Sequence, residues 1–313
     1  MNLSPDVLGP LICGMRSAFA RGENAMAHAR ATLGQSLNSP EATLVAYDLQ
    51  AGSYTSRVRR SRVENDRWCR QLADVLAPGF PQGGSLLEVG VGEATTLATV
   101  AQMLGTAPGS ILGFDLSWSR CAEARDWLRE ESVNADVFVG DLFAIPLADA
   151  SVDVVYTSHS LEPNGGRERE ALRELLRVTR HRLVLCECLY ELAPEPAQAR
   201  MREHGYVRGL ADTLRSLGAD VKACRLLPYS PNPLNPSGVI VVEKIGSAGV
   251  SPVPELRCPL THTPLARESD LCVSPLTGIV YPVLRGIPLL RAEHAVVASK
   301  LVPTPAPAAA LLT

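Results

Sequence analysis

The feature that most restricts the fold is an alternation between residues 84 and 245, where short β-rich runs take turns with longer helical stretches. LLEVG, ILGFDL, DVFVG, VDVVYT and RLVLCE read as strands. ATTLATVAQML, SRCAEARDWLREE and REREALRELLRVT carry helical periodicity between them. Such alternation predicts βαβ units, hence an α/β fold with a doubly wound, mostly parallel sheet covered on both faces. A later pair, DVKACRLL and GVIVVEKI, flanks the turn-rich YSPNPLNPSG and predicts an antiparallel hairpin closing one edge.

Texture divides the rest of the chain. Residues 1–80 are helical, with breaks near Gly34–Pro40 and Gly52, and read as an N-terminal cover on a core spanning 81–246. Residues 247–255 read as a linker, 256–295 as a small β-rich domain, and 296–313 as a Pro/Ala-rich mobile tail. With 313 residues, 46% of them hydrophobic, there is ample material for a core, and no apolar run is long enough to span a bilayer. A formal charge of -3 disfavours a protein that coats nucleic acid, although a local basic patch stays open. Eight scattered cysteines form no small-scaffold framework, and no basic leader precedes the first apolar stretch. Both point to reduced thiols in a cytoplasmic protein.

The most informative stretch is LLEVGVGEATTL, residues 86–97. A buried strand runs into Gly90-Val91-Gly92, and a helix begins near Ala94. Glycines suit a turn where a ligand touches backbone. Asp115, ending ILGFDL, is placed to accept ribose hydroxyls, and Asp141, after the third strand, to accept an adenine amino hydrogen. Glu88 and Glu93 flank the turn, and Ala94 replaces the usual third glycine. Carboxylates beside a helix N-terminus oppose a pyrophosphate and favour a cationic ligand without phosphate, such as S-adenosylmethionine.

With these motifs in order, residues 84–190 resemble the class I S-adenosylmethionine-dependent methyltransferases, whose fold is Rossmann-like. The resemblance rests on E-V-G-V-G-E, F-D-L-S, and G-D-L-F-A-I-P-L-A-D-A-S-V-D-V-V-Y-T. It implies that Gly90 and Gly92 approach the methionyl part, with Glu88 helping to organise its amino end and Glu93 beside it. Asp115 and Leu116 would then meet the ribose, and Asp141, Leu142 and Phe143 the adenine. VAYDLQAGSYTSRVRR resembles a segment that folds over the cofactor in several such enzymes, which makes Tyr47 and Tyr54 either cofactor contacts or packing residues.

The fourth strand runs out into Ser158-His159-Ser160-Leu161-Glu162. Loops at strand carboxyl ends line the ligand crevice, so Ser158 is expected at the cofactor and His159 and Glu162 at the methyl acceptor. A neutral imidazole could deprotonate a hydroxyl acceptor near neutral pH. Asn-Pro-Pro-Tyr, associated with methylation of amide and exocyclic amino nitrogens, does not follow this strand. Tyr190, His204 and Tyr206 are further acceptor-side candidates, and Cys186 and Cys188 read as core.

RCPLTHTPLARESDLCVSPLTGIVYPVLRGIPLLR, about residues 256–292, resembles the small zinc-ribbon-like methyltransferase-activator proteins. A zinc site needs four ligands; Cys258, His262 and Cys272 supply three, and Thr261 stands where a second cysteine would, so the ligand count argues against zinc. The expected partner is a small-molecule acceptor, with RNA or protein as the rival substrate and a catalytically silent nucleoside-binding subunit as a third reading. Nothing in the sequence speaks to oligomeric state.

Overall fold

The computed structural model describes residues 3–35, 39–244 and 253–302. Most of the expected linker and the terminal residues 303–313 therefore lie outside the described residues. The chain opens with five helices: α1 (Pro5–Ala20), α2 (Ala25–Leu33), α3 (Pro40–Leu49), α4 (Ser53–Arg60) and α5 (Arg62–Leu76). Local chemistry sets several of their limits. Asn24 Oδ1 accepts the Ala27 N–H at 3.0 Å to start α2, and Gly34 ends that helix at φ 61°. Ser39 Oγ accepts the Ala42 N–H at 3.1 Å to start α3. α1–α3 enclose a small core of Leu11, Met15, Ala29 and Ala46, whereas Trp68, Leu72 and Leu76 of α5 pack onto the central sheet.

The sheet follows in alternation: β1 (Ser85–Val89), α6 (Thr95–Met103), β2 (Ser110–Asp115), α7 (Trp118–Glu130), β3 (Asp136–Val139), β4 (Val152–Ser158), α8 (Glu168–Val178) and β5 (Thr179–Cys188). α9 (Glu195–Glu203) and α10 (Leu210–Ser216) then lead to the hairpin β6 (Asp220–Leu226) and β7 (Ser237–Glu243). The spatial order is β3-β2-β1-β4-β5-β7-β6. Pairing is parallel from β3 to β5 and antiparallel for β5/β7 and β7/β6. All five residues of β1 are buried, as expected for a strand with helices on both faces. The fold is the expected doubly wound α/β sheet with an antiparallel edge. The order of strands reverses between β1 and β4, where a crevice opens at the strand carboxyl ends.

A separate antiparallel sheet follows: β8 (Ala266–Glu268), β9 (Leu271–Val273), β10 (Ile279–Leu284), β11 (Ile287–Pro288) and β12 (Val296–Val297). It docks on the otherwise open β3 edge. Val139 pairs with Leu289 in a parallel bridge, the Leu290 N–H donates to Val139 O at 2.8 Å, and Leu147 pairs with Leu256. Tyr281, Val283 and Leu290 share one core with Phe138, Ile145 and Leu147. Residues 296–302 depart from the expected tail: Val296 and Val297 pair with Val280 and Ile279. The Pro/Ala content beyond them places the sequence-based boundary too early.

The three candidate zinc ligands do not converge in this small domain. The Cys258 thiol meets the Tyr281 hydroxyl at 3.2 Å, and His262 is exposed. Thr261, Thr263 and Ser274 form a chain of hydroxyls at 2.8 and 2.7 Å beside them. Among the described residues no helix is long and apolar enough to cross a membrane.

Candidate functional site

A cavity of about 1040 Å³ opens between the helical cover and the carboxyl ends of β1, β2, β3 and β4. At its floor is the β1–α6 turn, with Gly90 at φ 70° and Gly92 at φ 54°, both left-handed. Gly90 is required by space as well, since a Cβ there would stand 2.3 Å from the Ser160 Cβ. Ala94 takes the left-handed conformation (φ 55°) that a third glycine would take without strain.

Asp115 Oδ2 accepts the Gly92 N–H at 3.1 Å, and Oδ1 accepts the Ser117 N–H at 3.0 Å. Burial raises its carboxyl pKa against the pull of these bonds and of Arg120. Asp141 Oδ1 accepts the Phe143 N–H at 2.9 Å and so shapes the loop carrying Leu142 and Phe143. Tyr47, Tyr54, Gly90, Gly92, Asp115 and Leu116 line one side of the cavity. Asp141, Leu142, Phe143 and Ser158 continue that wall towards His159 and Glu162.

Glu88 and Glu93 are corrections to the sequence-based expectation, because neither lines the cavity. Glu88 is buried in the sheet, accepts the Tyr156 hydroxyl at 2.8 Å, and is pushed up to about 8 by burial. Glu93 turns behind the loop, where Oε2 accepts the Thr55 N–H at 2.7 Å and Oε1 lies 3.8 Å from Arg120. A turn this short cannot aim every side chain into one crevice. These two serve the core and the cover, so the electrostatic preference drawn from them does not hold.

Arg120, only 2% exposed, is a residue that sequence patterning missed. Its Nε donates to Tyr47 O at 2.9 Å, and its guanidinium lies 5.1 Å from the Tyr47 ring and 4.6 Å from the Tyr54 ring. Ser117 Oγ donates to Asp48 Oδ1 at 2.7 Å and adds a second tie. These bonds hold α3 and α4 over that side of the cavity. Tyr47 is thus both a packing residue and a wall of the cavity, and burial raises the pKa of its hydroxyl.

At the other side, His159 occupies a left-handed position (φ 56°) after β4. Its Nδ1 contacts Glu162 Oε1, and Nε2 stands 2.9 Å from Ser237 Oγ. Burial works against a charged imidazole, but the charge and hydrogen bond of Glu162 outweigh it and raise the His159 pKa. Burial likewise opposes ionisation of Glu162, yet His159, Cys188 and Asn235 hold its pKa below the ordinary carboxylate value. The Cys188 thiol donates to Glu162 Oε1 at 2.9 Å, which brings a residue expected only in the core to the site. Asn235 Nδ2 adds a 3.3 Å bond to Glu162, and the Trp68 ring lies 5.2 Å from the imidazole. Among the described residues, His159, Glu162 and Cys188 are also the one group spaced like metal ligands. Their contacts with one another are those of hydrogen-bonded partners.

Ser237, Asn235, Cys188 and Trp68 come from β7, its preceding loop, β5 and α5. No local motif marks them; only strand order brings them together. His204 and Tyr206 line the cavity, whereas Tyr190 does not.

Residues 86–182 match the family model described as a methyltransferase domain. That part of the chain is similar to methyltransferase domains. An uncharacterized 37.1 kDa protein in transposon TN4556 of Streptomyces fradiae is 35% identical over 108 residues, 34% of this chain and 30% of the relative. The chain thus spans less than a third of the length of that relative.

Solved structures with a similar arrangement include the [4+2]-cyclase SpnF, 20% identical with a TM-score of 0.46, covering 57% of this chain and 81% of that one. A geranyl diphosphate C-methyltransferase from Streptomyces coelicolor A3(2) is 12% identical (TM-score 0.45; 56% and 77% covered). A chain from the complex between the Haloferax volcanii Trm112 methyltransferase activator and a methyltransferase is 16% identical (TM-score 0.46; 62% and 96% covered).

Proposed function

We propose that the protein transfers a methyl group from S-adenosylmethionine to a hydroxyl of a small polar acceptor, such as a natural-product or carbohydrate intermediate. The observation that carries this reading is the His159–Glu162 pair, held in the same cavity as Gly90, Gly92, Asp115 and Asp141. The residues fit the cofactor. The glycine turn leaves backbone accessible, Asp115 offers a carboxylate at the end of β2, and Asp141 lies beyond β3. When bound, S-adenosylmethionine supplies a methyl carbon bonded to a cationic sulfur.

The chain's own task is to align the acceptor and take its proton. Glu162 holds Nδ1 of His159, so Nε2 is the nitrogen that receives the hydroxyl proton, and the Ser237 hydroxyl, 2.9 Å away, must swing off that nitrogen for the acceptor hydroxyl to take its place. Beyond the pair the wall is rich in amides, with Asn65, Asn164, Asn232 and Asn235 beside Arg200. Such groups suit a hydroxylated acceptor better than a hydrocarbon chain. The small C-terminal domain, seated on β3, supports the loop of Asp141–Phe143 rather than the acceptor wall.

The test is turnover with a labelled methyl donor against a panel of hydroxylated acceptors. His159→Ala should lower turnover by roughly 10²–10⁴-fold with cofactor affinity retained. The base must be neutral, so activity should climb with pH through a value above the ordinary ~6.5 of histidine. Glu162→Gln should move that limb to lower pH. Unchanged turnover in His159→Ala removes the imidazole as base, and failure to bind S-adenosylhomocysteine ends the cofactor assignment.

A further inference from the structure

We infer that Ser160 binds the amino-acid end of the cofactor, an assignment that rests on the S-adenosylmethionine reading above. Its Oγ is buried and has no hydrogen-bond partner, although the residue lines the cavity. A buried hydroxyl left unpaired is costly, so its place is explained if a ligand completes it.

The position is fixed. Glu187, fully buried at the end of β5, accepts the Ser160 N–H on Oε1 and the Leu161 N–H on Oε2, both at 3.2 Å. The side chain presses on Gly90, where a Cβ would fall 2.3 Å from the Ser160 Cβ, so the first glycine of the turn exists partly to admit this serine. The free hydroxyl therefore sits beside the turn that faces the methionyl part of the cofactor.

The nearby carboxylates have other partners. Glu88 and Glu93 point out of the cavity, Asp115 is bonded to two backbone N–H groups at the β2 end, and Glu162 is paired with His159. A hydroxyl both donates and accepts, so Ser160 can serve either the carboxylate or the ammonium of an amino acid.

The experiment compares two ligands by calorimetry on the full chain. S-adenosylhomocysteine carries the amino-acid end, and 5′-methylthioadenosine shares its adenosine but lacks that end. Ser160→Ala should weaken S-adenosylhomocysteine about ten-fold or more, the scale of one hydrogen bond to a charged group, and leave methylthioadenosine unchanged. Asp115→Ala should weaken both. Without ligand, Ser160→Ala should melt no lower than the parent protein, because no native bond is lost.

If Ser160→Ala weakens both ligands equally, or neither, while Asp115→Ala weakens both, the Ser160 assignment fails and the cofactor assignment stands. If the parent protein binds neither ligand, the cofactor assignment fails and takes this one with it.

Discussion

Replacing Arg120 by Met tests how the helical cover is held over the site. Arg120 and Glu93 are 2% and 0% exposed, so each sits in low dielectric. Methionine keeps much of the volume but removes the Nε bond to Tyr47 O, the stacking between Tyr47 and Tyr54, and the positive charge facing Glu93. Glu93 would keep its bond from the Thr55 N–H, while Oε1, which has no hydrogen bond even in the native protein, would also lose its neighbouring cation. Breaking a buried pair from one side typically costs about 3–5 kcal/mol, most of it the penalty of the charge left behind. That is a large share of the roughly 5–15 kcal/mol that stabilises an ordinary domain.

The charge explanation makes a second demand. In Arg120→Met combined with Glu93→Gln, the amide oxygen can still accept from Thr55 and no charge is stranded at position 93, while Asp115 still loses its neighbouring cation, so part of the lost stability should return. Urea unfolding followed by tryptophan fluorescence compares the parent, the single variant and the double variant at one pH. A double variant no more stable than Arg120→Met would refute the reasoning and assign the loss to packing on the tyrosines and to the cation taken from Asp115.

Two other outcomes are expected. Glu88 has a native pKa of about 8 against an ordinary 4.5, so the folded protein keeps a proton that the unfolded chain releases between those values. Stability should therefore fall with rising pH through that window by about 1.4 kcal/mol per unit from this group. Glu88→Gln should abolish that slope, giving little change below pH 4.5 and a clear gain above 8; equal effects in unfolding at both ends would contradict it. Leu290→Ala, at a fully buried contact between the small domain and β3, should cost about 2–5 kcal/mol and weaken S-adenosylhomocysteine through the Asp141–Phe143 loop. Calorimetry that finds unchanged affinity in a destabilised variant would confine the small domain to a structural role.

Patterning along the chain was enough to specify the layers and the loops at the strand ends. Period and composition are local properties, so β-rich runs with helices between them already imply a parallel sheet, and glycines and acids at strand ends mark its crevice. Gly90, Gly92, Asp115 and Asp141 were legible for that reason and do line one cavity. Direction and partnership were not legible. Glu88 and Glu93 flank the same Gly90-Val91-Gly92 turn, yet the backbone sends one into the sheet and the other behind the loop.

The His159 side of the cavity came into being only with the packed fold. Ser237 lies 78 residues from His159 in sequence, and only the strand order β4-β5-β7 brings its hydroxyl to the imidazole. Arg120 reads as one more charge on an amphipathic helix until α3 and α4 close over it. The physical reason is common to all of them: a pattern along the chain reports which face is buried, but a hydrogen bond or ion pair depends on what the fold sets opposite.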